Sequence, residues 1–399
     1  EGVRRYPDDP ELWYQLGDAY LHWGPQLKVT PDDGKTALER AVELDPDFAP
    51  YHIHLVDLAL VAGDSAAAAE RLETERSLIG EETLQLRSHE LQFQYLYGSP
   101  QDRDRIAGSL EDLDILLLTR LQTFYTLDGE KAGEALKLAR LACEEMRERA
   151  DLTAGRVYVC LYILLASGRV QETREWVATR GQSPDATPLG PVVFANLVMR
   201  PTGLDPDAPT VPDLAMPQLR EDHDGVVQPD LVMTALLALY QDRLAIADSV
   251  LTILDRQADS TAEQDTLDAR LIHGIAEGIR GYRALARQQD GEAIEHLTAS
   301  ERLLAGSVGP EEAFWTQVVW PLAELQARRG QVREALRLYR ALWRSLYASP
   351  ALLRRIELHD RLGEEARADS LRRHFLRLWA EGDPDHPFIE QVRRGLPPG

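Results

Sequence analysis

A regular spacing of large and small residues near the start of the chain constrains its fold most strongly. Trp13, Leu16, Gly17 and Tyr20 stand at the i, i+3, i+4 and i+7 positions of a helix, so they share one face. A glycine between two aromatic residues on that face lets a second helix approach closely. Pro7, six residues before Trp13, marks the end of whatever precedes this helix. The segment therefore predicts the first helix of a closely packed pair.

The second helix of this pair is predicted to carry Leu38, Ala41 and Leu44 on one face and to end at Asp45-Pro46. The residues from His22 to Gly34 are predicted to form an extended loop between the two helices. This insertion makes the first pair longer than the period of about 34 residues that such pairs commonly repeat.

The pattern starts again after Pro46. His52 follows Pro46 by six residues and takes the place that Trp13 has in the first pair. Gly63-Asp64 predicts the turn, and the run of small residues from Ala66 to Leu72 predicts a second helix that packs closely against the first. Two successive helix pairs are therefore expected before residue 80.

These offsets resemble those of the tetratricopeptide repeat (TPR) family, which builds stacked helical hairpins. Looser helical patterns continue through Thr83–Tyr97, Leu113–Tyr125, Ala132–Glu145, Val157–Leu165 and Val170–Thr179, and again from Leu231 to near the end. In the later part Gly281, Ala293, Gly330 and Ala335 match the family offsets most closely. The resemblance implies an all-α fold, a TPR-like right-handed helical-hairpin superhelix (α-solenoid) in two halves.

A proline-rich segment divides the chain. Nine prolines lie between Gly181 and Pro229 inclusive, and they interrupt any long helix there. The expected organisation is an N-terminal array over residues 1–180, a connector over 181–230 and a C-terminal array over 231–399.

Composition excludes several classes of protein. The 399 residues carry a formal net charge of -22, so the average surface repels phosphate backbones and nucleic acid is not an expected partner. The two cysteines, Cys143 and Cys160, are too few for a disulfide framework and are expected to be small apolar core residues. No apolar run reaches the length of about 20 residues that spans a membrane, so we expect no membrane insertion by this segment. A soluble chain is expected, with the cytoplasm favoured as its compartment.

No pattern in the sequence predicts catalysis, a cofactor or a metal ion. Gly34-Lys35-Thr36 resembles the end of a phosphate-binding loop, but Val29 stands where that loop needs its first glycine. His52 and His54 lie two residues apart and point in different directions on a helix, so they are poorly placed to chelate one ion together. Asp222-His223-Asp224-Gly225 lacks the closing glutamate of a calcium loop. We therefore expect a protein that is not an enzyme, with no catalytic, cofactor-binding or metal-ligating residues.

The family resemblance also implies a binding groove. In TPR proteins the first helix of each hairpin lines a concave face, and fixed positions on it contact peptide ligands. Carried over residue by residue, the groove positions are Tyr14, Asp18, Ile53, Asp57, Trp320, Glu324 and Glu357. Aromatic and acidic side chains in one groove would suit a basic, partly apolar peptide. The alternative is that these carboxylates simply occupy solvated helix faces of a very acidic protein.

The function implied is a non-catalytic protein- or peptide-binding scaffold. The segment from Leu44 to Pro50, followed by His54-Leu55, is similar to the TPR arms of bacterial signalling proteins, which implies a sensor arm of a larger signalling protein with an effector domain upstream of Glu1. Two alternatives stay open at this point: a helical domain that binds a small molecule near the connector, and a structural assembly subunit.

Overall fold

The structure is a computed structural model, and it describes most of the chain. The described residues are 1–27, 29, 31–79, 83–108, 120, 131–146, 154–181, 198–199, 201–205, 229–240, 243–262, 266–307, 310–342 and 345–396. The helix predicted over Leu113–Tyr125 and the Asp222-Gly225 segment lie outside them, apart from Arg120.

Contacts divide the chain into two compact units. The first comprises Glu1–Ala195 together with Glu364–Gly399, and the second comprises Asn196–Gly363. The last helices therefore group with the N-terminal residues, whereas the sequence analysis expected them in a C-terminal array. The connector over 181–230 lies mainly outside the described residues, so the three-part division stays a prediction.

Helices form nearly all of the described part of the first unit. They are α1 (Gly2–Arg5), α2 (Pro10–Leu27), α3 (Pro31–Leu44), α4 (Pro50–Ala62), α5 (Ser65–Ile79), α6 (Leu84–Tyr97), α7 (Pro100–Ala107), α8 (Ala132–Met146), α9 (Ala154–Ala166), α10 (Val170–Gly181), α18 (Glu365–Leu378) and α19 (Pro387–Arg394). Local signals fix several ends: the Thr83 side chain caps α6, Ser99 and Asp102 form a capping box at α7, and Gly63 ends α4 at a φ of 76°.

The second unit is built from the same kind of element. Its helices are α11 (Pro229–Tyr240), α12 (Leu244–Thr261), α13 (Thr266–Ala286), α14 (Asp290–Leu304), α15 (Pro310–Arg328), α16 (Val332–Ala341) and α17 (Ala348–Arg361). Within this unit, each helix from α11 to α16 packs against the next one along the chain.

Consecutive packing also holds in the first unit, where α2 packs on α3, α3 on α4, α4 on α5, α5 on α6 and α6 on α7. No strand occurs among the residues that the structure describes. The all-α, TPR-like helical-hairpin architecture predicted from the sequence is therefore confirmed.

Glycines of the predicted pattern lie where two helices approach each other closely. A Cβ added to Gly17 on α2 would stand 2.6 Å from Cγ of Leu38 on α3, and Leu38 is fully buried. The second unit repeats this arrangement, since a Cβ on Gly281 would stand 2.6 Å from Cγ of Leu297. These distances leave no room for a side chain, which explains why the pattern carries glycine there.

The prediction of an extended loop inside the first hairpin is wrong, because the connection between α2 and α3 is much shorter. Helix α2 runs from Pro10 to Leu27, and its one non-helical residue is Trp23, with φ of -124° and ψ of 15°. The kink comes directly before Gly24 and Pro25, the two residue types that most weaken a helix. Residues 22–27 of the insertion therefore extend α2, and residues 31–34 belong to α3, which begins at Pro31.

The two cysteines are both buried, as predicted, but they are not free. Cys143 on α8 and Cys160 on α9 form a disulfide across 17 residues of chain. One such bond stabilises a fold by about 2–4 kcal/mol, mainly by restricting the unfolded chain. Disulfides are typical of compartments less reducing than the cytosol, so the compartment favoured from the sequence stays a prediction. Among the described residues, no helix is both long and apolar enough to cross a bilayer.

The C-terminal segment contacts the middle of the first unit. Helix α18 packs on α8, and the indole of Trp379, 2% exposed, lies against the turn at Gly168. The backbone N–H of Asp383 donates to the carbonyl of Gly168 at 2.9 Å, and the Asp383 carboxylate accepts from the N–H of Gln171 at 2.9 Å. These contacts fasten the end of the chain to the turn between α9 and α10.

Candidate functional site

The predicted groove residues fall into two groups in separate units. Tyr14 and Asp18 on α2 and Ile53 and Asp57 on α4 belong to the first unit, whereas Trp320 and Glu324 on α15 and Glu357 on α17 belong to the second. Within each group, ring contacts, hydrogen bonds and ion pairs connect the helices that carry these residues. Their assignment to a peptide-binding groove stays a prediction.

The first helices of two successive hairpins meet in the first unit. The ring of Tyr14 on α2 lies 5.3 Å from the ring of Tyr51 and 6.3 Å from the imidazole of His54, both on α4. The imidazole of His22, one turn beyond Asp18 on α2, lies 5.3 Å from that of His54. We call these five residues, Tyr14, Asp18, His22, Tyr51 and His54, the α2–α4 patch.

Asp18 is the charged centre of the α2–α4 patch. Its Oδ1 lies 2.8 Å from Nε2 of His54 and 3.4 Å from Nε2 of His22. Burial raises the pKa of Asp18, but the hydrogen bonds from His22 and His54 outweigh it and hold the pKa well below its usual range. Burial lowers the pKa of His54, but its bonds to Asp18 and Asp57 outweigh that effect and raise the pKa to about 9. The pair is therefore an ion pair at neutral pH.

Asp57 lies deeper than Asp18 and is held on several sides. Its carboxylate accepts from Nη1 of Arg120 at 3.1 Å and lies 3.2 Å from Nε2 of His89, while Nδ1 of His89 lies 2.6 Å from Glu75. Burial raises the pKa of Asp57, but the charges of Arg120 and His89 outweigh it and hold the pKa well below the usual range. Only 10% of its side chain is exposed. Asp57 thus stabilises the helix packing behind the patch, and little of its charge is accessible to a partner.

The acidic residues of the second group are also paired. Glu324 accepts from the Tyr339 hydroxyl at 2.6 Å and from Nε of Arg354 at 2.9 Å, and Nη1 of Arg354 donates to Glu357 at 2.9 Å. Burial of Tyr339, followed by the charge of Glu324, raises the pKa of that phenol. Arg354 therefore joins the two predicted groove carboxylates into one network.

Trp320 belongs to the core of the second unit. It is 5% exposed and stacks on Tyr347 with ring centroids 5.1 Å apart, while Tyr339 meets it edge-on at 5.5 Å. An aromatic ring that is already covered offers a partner little area. The half-buried Tyr14 is the more accessible of the two aromatic groove positions.

A second concave feature lies in the first unit between α8 and α18. This cleft of about 400 Å³ is lined by the basic side chains of Lys137, Arg140, Arg169 and Arg377, together with Glu134 and Glu381. The Glu381 carboxylate accepts from Nζ of Lys137 at 2.8 Å and from Nη2 of Arg140 at 3.2 Å. Basic side chains outnumber acidic ones here, in contrast to the net charge of the chain.

Sequence reasoning missed three residues that shape the first group. His22 lies four positions after Asp18, a same-face spacing that was available as a signal. His89 and Arg120 come from distant parts of the chain, and no local pattern connects them to Asp57. Their roles became visible only from the packing of the helices.

Comparison with known proteins adds little to this description. No protein-family model matches the sequence, and no curated protein matches it. Among solved structures, the chain is similar to the TPR domain of P58(IPK), at 12% sequence identity over 98% of this chain and 89% of that one, with a TM-score of 0.25. Similarity at this level carries no functional argument. The TPR-like description rests on the sequence offsets and on the helix packing described above.

Proposed function

We propose that this protein is a non-catalytic scaffold that binds a partner protein or peptide on the α2–α4 patch. One observation carries the proposal: the first helices of two successive hairpins lie side by side, and their aromatic, imidazole and carboxylate groups converge there. Tyr14, Asp18, His22 and His54 of this patch are partly exposed, whereas Tyr51 is buried. Tyrosine and histidine provide apolar area together with polar tips, which is the composition of many recognition surfaces.

The partner proposed is a basic, partly apolar peptide. Asp18 keeps 26% of its side chain exposed, and the neighbouring Glu11 is exposed as well. A net charge of -22 attracts cationic partners at long range. Asp57 is almost covered, and Glu324 and Glu357 belong to the other unit. Asp18 is itself paired with His54 but stays partly exposed, and Glu11 accepts from the Tyr51 hydroxyl at 3.5 Å. Asp18 and Glu11 are therefore the carboxylates that we expect a peptide to contact first.

Charge alone gives little affinity here. An exposed ion pair contributes about 0.2–1 kcal/mol, so replacing Asp18 by Asn should weaken binding about 1.4- to 5-fold. Tyr14 is the expected anchor, because a tyrosine at the centre of an interface commonly contributes more than about 1 kcal/mol. We expect Tyr14→Ala to weaken binding by about 1–2 kcal/mol, or about 5- to 30-fold.

The experiment is a peptide-array screen followed by fluorescence-anisotropy titration of the best hits in the presence of a chelator. Asp290→Asn is a matched control for Asp18→Asn, because Asp290 is an exposed carboxylate of the second unit paired with Arg328 at 3.5 Å. Tyr6→Ala is the control for Tyr14→Ala, because Tyr6 is 53% exposed and lies outside the patch.

Support for the proposal requires basic hits whose binding weakens in Tyr14→Ala and Asp18→Asn and is unchanged in the two controls. Affinity should also fall as salt rises, because the screening length shrinks from about 30 Å at 0.01 M to about 8 Å at 0.15 M. The α2–α4 patch would be rejected as the binding surface if the best hits are acidic or neutral peptides. It would also be rejected if the affinity for a basic hit is the same in Tyr14→Ala, Asp18→Asn and wild type.

A finer part of the proposal concerns biological setting. The similarity of residues 44–55 to TPR arms of bacterial signalling proteins supports a role as a sensor or docking arm joined to an effector domain. Sequencing the gene upstream of the codon for Glu1 tests this directly. A kinase or transcription-regulator domain there would support the role, and a start codon directly before Glu1 would reject it.

A second candidate function is the binding of a small anionic molecule in the cleft between α8 and α18. The excess of basic side chains in that cleft favours it. Thermal-shift titration with inorganic phosphate and with a dicarboxylate is the test, using wild type and Arg169→Gln. A rise in melting temperature that Arg169→Gln abolishes supports this function, and no rise assigns the cleft to a structural ion-pair cluster.

A further inference from the structure

We propose that Asp18, His22 and His54 form a binding site for a divalent transition-metal ion, with Zn²⁺ as the expected occupant. One carboxylate oxygen and two imidazole nitrogens from these residues all lie within 4.8 Å of one another, the only such group of histidine, cysteine and acidic residues among the part of the chain that the structure describes. This reverses the sequence-based expectation of no metal site.

The spacing of the Asp18 oxygen from each of the two imidazole nitrogens suits tetrahedral zinc. Zinc bonds of about 2.0–2.1 Å at tetrahedral angles place ligand atoms about 3.3 Å apart. Oδ1 of Asp18 and Nε2 of His22 are already 3.4 Å apart, whereas Oδ1 and Nε2 of His54 are 2.8 Å apart. Replacing the latter hydrogen bond by an ion requires a movement of only about 0.5 Å.

The backbone holds these ligands in place. Asp18 and His22 stand four residues apart on α2, so both project from one helix face. His54 comes from α4, and the contacts of Tyr14 with Tyr51 and His54 join the two helices at this level. Two ligands on one helix and a third on its neighbour are a common way to build a metal site in a helical protein.

The surroundings of His54 support ligation through Nε2. Nδ1 of this imidazole lies 3.5 Å from Oδ2 of Asp57, and Asp57 is itself fixed by Arg120 and His89. A carboxylate behind a histidine ligand orients the ring and leaves the other nitrogen for the metal. The buried network around Asp57, which the peptide-binding proposal does not use, therefore has a role as the outer support of this site.

The ligand set and its exposure define the class of ion. Two imidazoles and one carboxylate favour Zn²⁺, Co²⁺ or Ni²⁺ over Mg²⁺ and Ca²⁺, which prefer oxygen ligands. The side chains of His22, Asp18 and His54 are 37%, 26% and 14% exposed, so the group lies partly at the surface. Three protein ligands with solvent access leave a fourth position for water or for a group from a partner.

The test is calorimetric titration of the full chain, without any affinity tag or peptide, with Zn²⁺ and separately with Mg²⁺. We expect one Zn²⁺ per chain and no comparable binding of Mg²⁺. Loss of an outer-shell partner weakens metal binding about 10- to 100-fold, so loss of a direct ligand in His22→Gln should weaken Zn²⁺ binding by more than about tenfold.

His296→Gln is the matched control. His296 also lies next to a carboxylate, with Nδ1 2.7 Å from Glu277, and its side chain is 31% exposed, but no further ligand among the described residues is near enough to complete a site there. It should bind Zn²⁺ as wild type does. Far-UV circular dichroism verifies that both variants are folded, and the visible spectrum of the Co²⁺-loaded wild type reports nitrogen and oxygen ligation without any substitution.

Stoichiometric Zn²⁺ binding that is lost in His22→Gln and kept in His296→Gln supports the site. Equal binding in wild type and His22→Gln, no stoichiometric Zn²⁺ binding, or a Co²⁺ spectrum of the hydrated ion would each overturn it and reduce the group to an ion pair. Since no peptide is present in this experiment, its result is separate from the outcome of the peptide titrations.

Discussion

Replacing Gly168 by alanine should destabilise the first unit in a way that exposes how the C-terminal segment is fastened. Gly168 has a φ of 74°, and an added Cβ would stand 2.5 Å from Cδ2 of Trp379. Placing alanine in this left-handed backbone conformation lowers the free energy of unfolding by about 1–2 kcal/mol. Over-packing against a buried ring adds about 1–3 kcal/mol. Gly168→Ala is therefore expected to lower the free energy of unfolding of the first unit by about 2–5 kcal/mol.

Gly330 offers a matched control for the backbone part of this cost. Its φ is 77°, and nothing lies within 4 Å of an added Cβ. The capping bonds are the same at both sites: Arg169 N–H donates to Leu164 at 2.8 Å, and Gln331 N–H donates to Gln326 at 2.9 Å. Gly330→Ala should thus cost only the backbone part, about 1–2 kcal/mol.

The assay is urea unfolding combined with hydrogen exchange, which assigns each loss of free energy to its own unit. Trp379→Ala, itself costing about 3–5 kcal/mol, completes a double-mutant cycle. In that background Gly168→Ala should cost only about 1–2 kcal/mol, because the ring is gone. Equal costs for the two glycines, or a cost at Gly168 that Trp379→Ala leaves unchanged, would refute the proposed contact.

Two further predictions concern the first hairpin. Gly17→Ala should destabilise the first unit by up to about 2 kcal/mol, because over-packing against Leu38 costs about 1–3 kcal/mol and the gain in helix propensity is about 1 kcal/mol. Thermal unfolding measures this change. In the control Gly291→Ala the added Cβ meets only the Arg329 side chain at 3.9 Å, so this variant should be neutral or slightly stabilised. Trp13→Ala removes a half-buried ring and its 2.7 Å bond to the Pro7 carbonyl, so it should cost less than the about 3–5 kcal/mol of a buried aromatic. Limited proteolysis should then show faster cleavage in α1–α4 and unchanged protection in α12–α16, whereas equal loss in both units would contradict local repeat stability.

The fold was predictable from the sequence because its signals are local. The offsets of Trp13, Gly17 and Leu38 specify helix faces and the place where two helices touch, and both follow from the 3.6-residue period. The kink at Trp23 was not predicted, because Gly24 and Pro25 suggest a loop as readily as a bent helix. Tertiary packing decided between these two outcomes.

Candidate site residues were predictable only as positions on a helix. The repeat pattern placed Asp18 and Asp57 on the first helices of two hairpins, which the structure bears out. It gave no information on Arg120, His89 and Glu75, which join Asp57 from other segments and decide how much of its charge is free. Contacts between residues far apart in sequence, such as Trp379 with Gly168, leave no periodic signal.

Photo-crosslinking tests the central claim, partner binding on the α2–α4 patch, most directly. The best basic peptide from the array would carry a photoreactive phenylalanine analogue at its apolar position, and mass spectrometry would locate the attachment sites. The account predicts crosslinks to residues 11–22 of α2 and 51–54 of α4, reduced in Tyr14→Ala. Crosslinks confined to other helices, or unchanged in Tyr14→Ala, would contradict it.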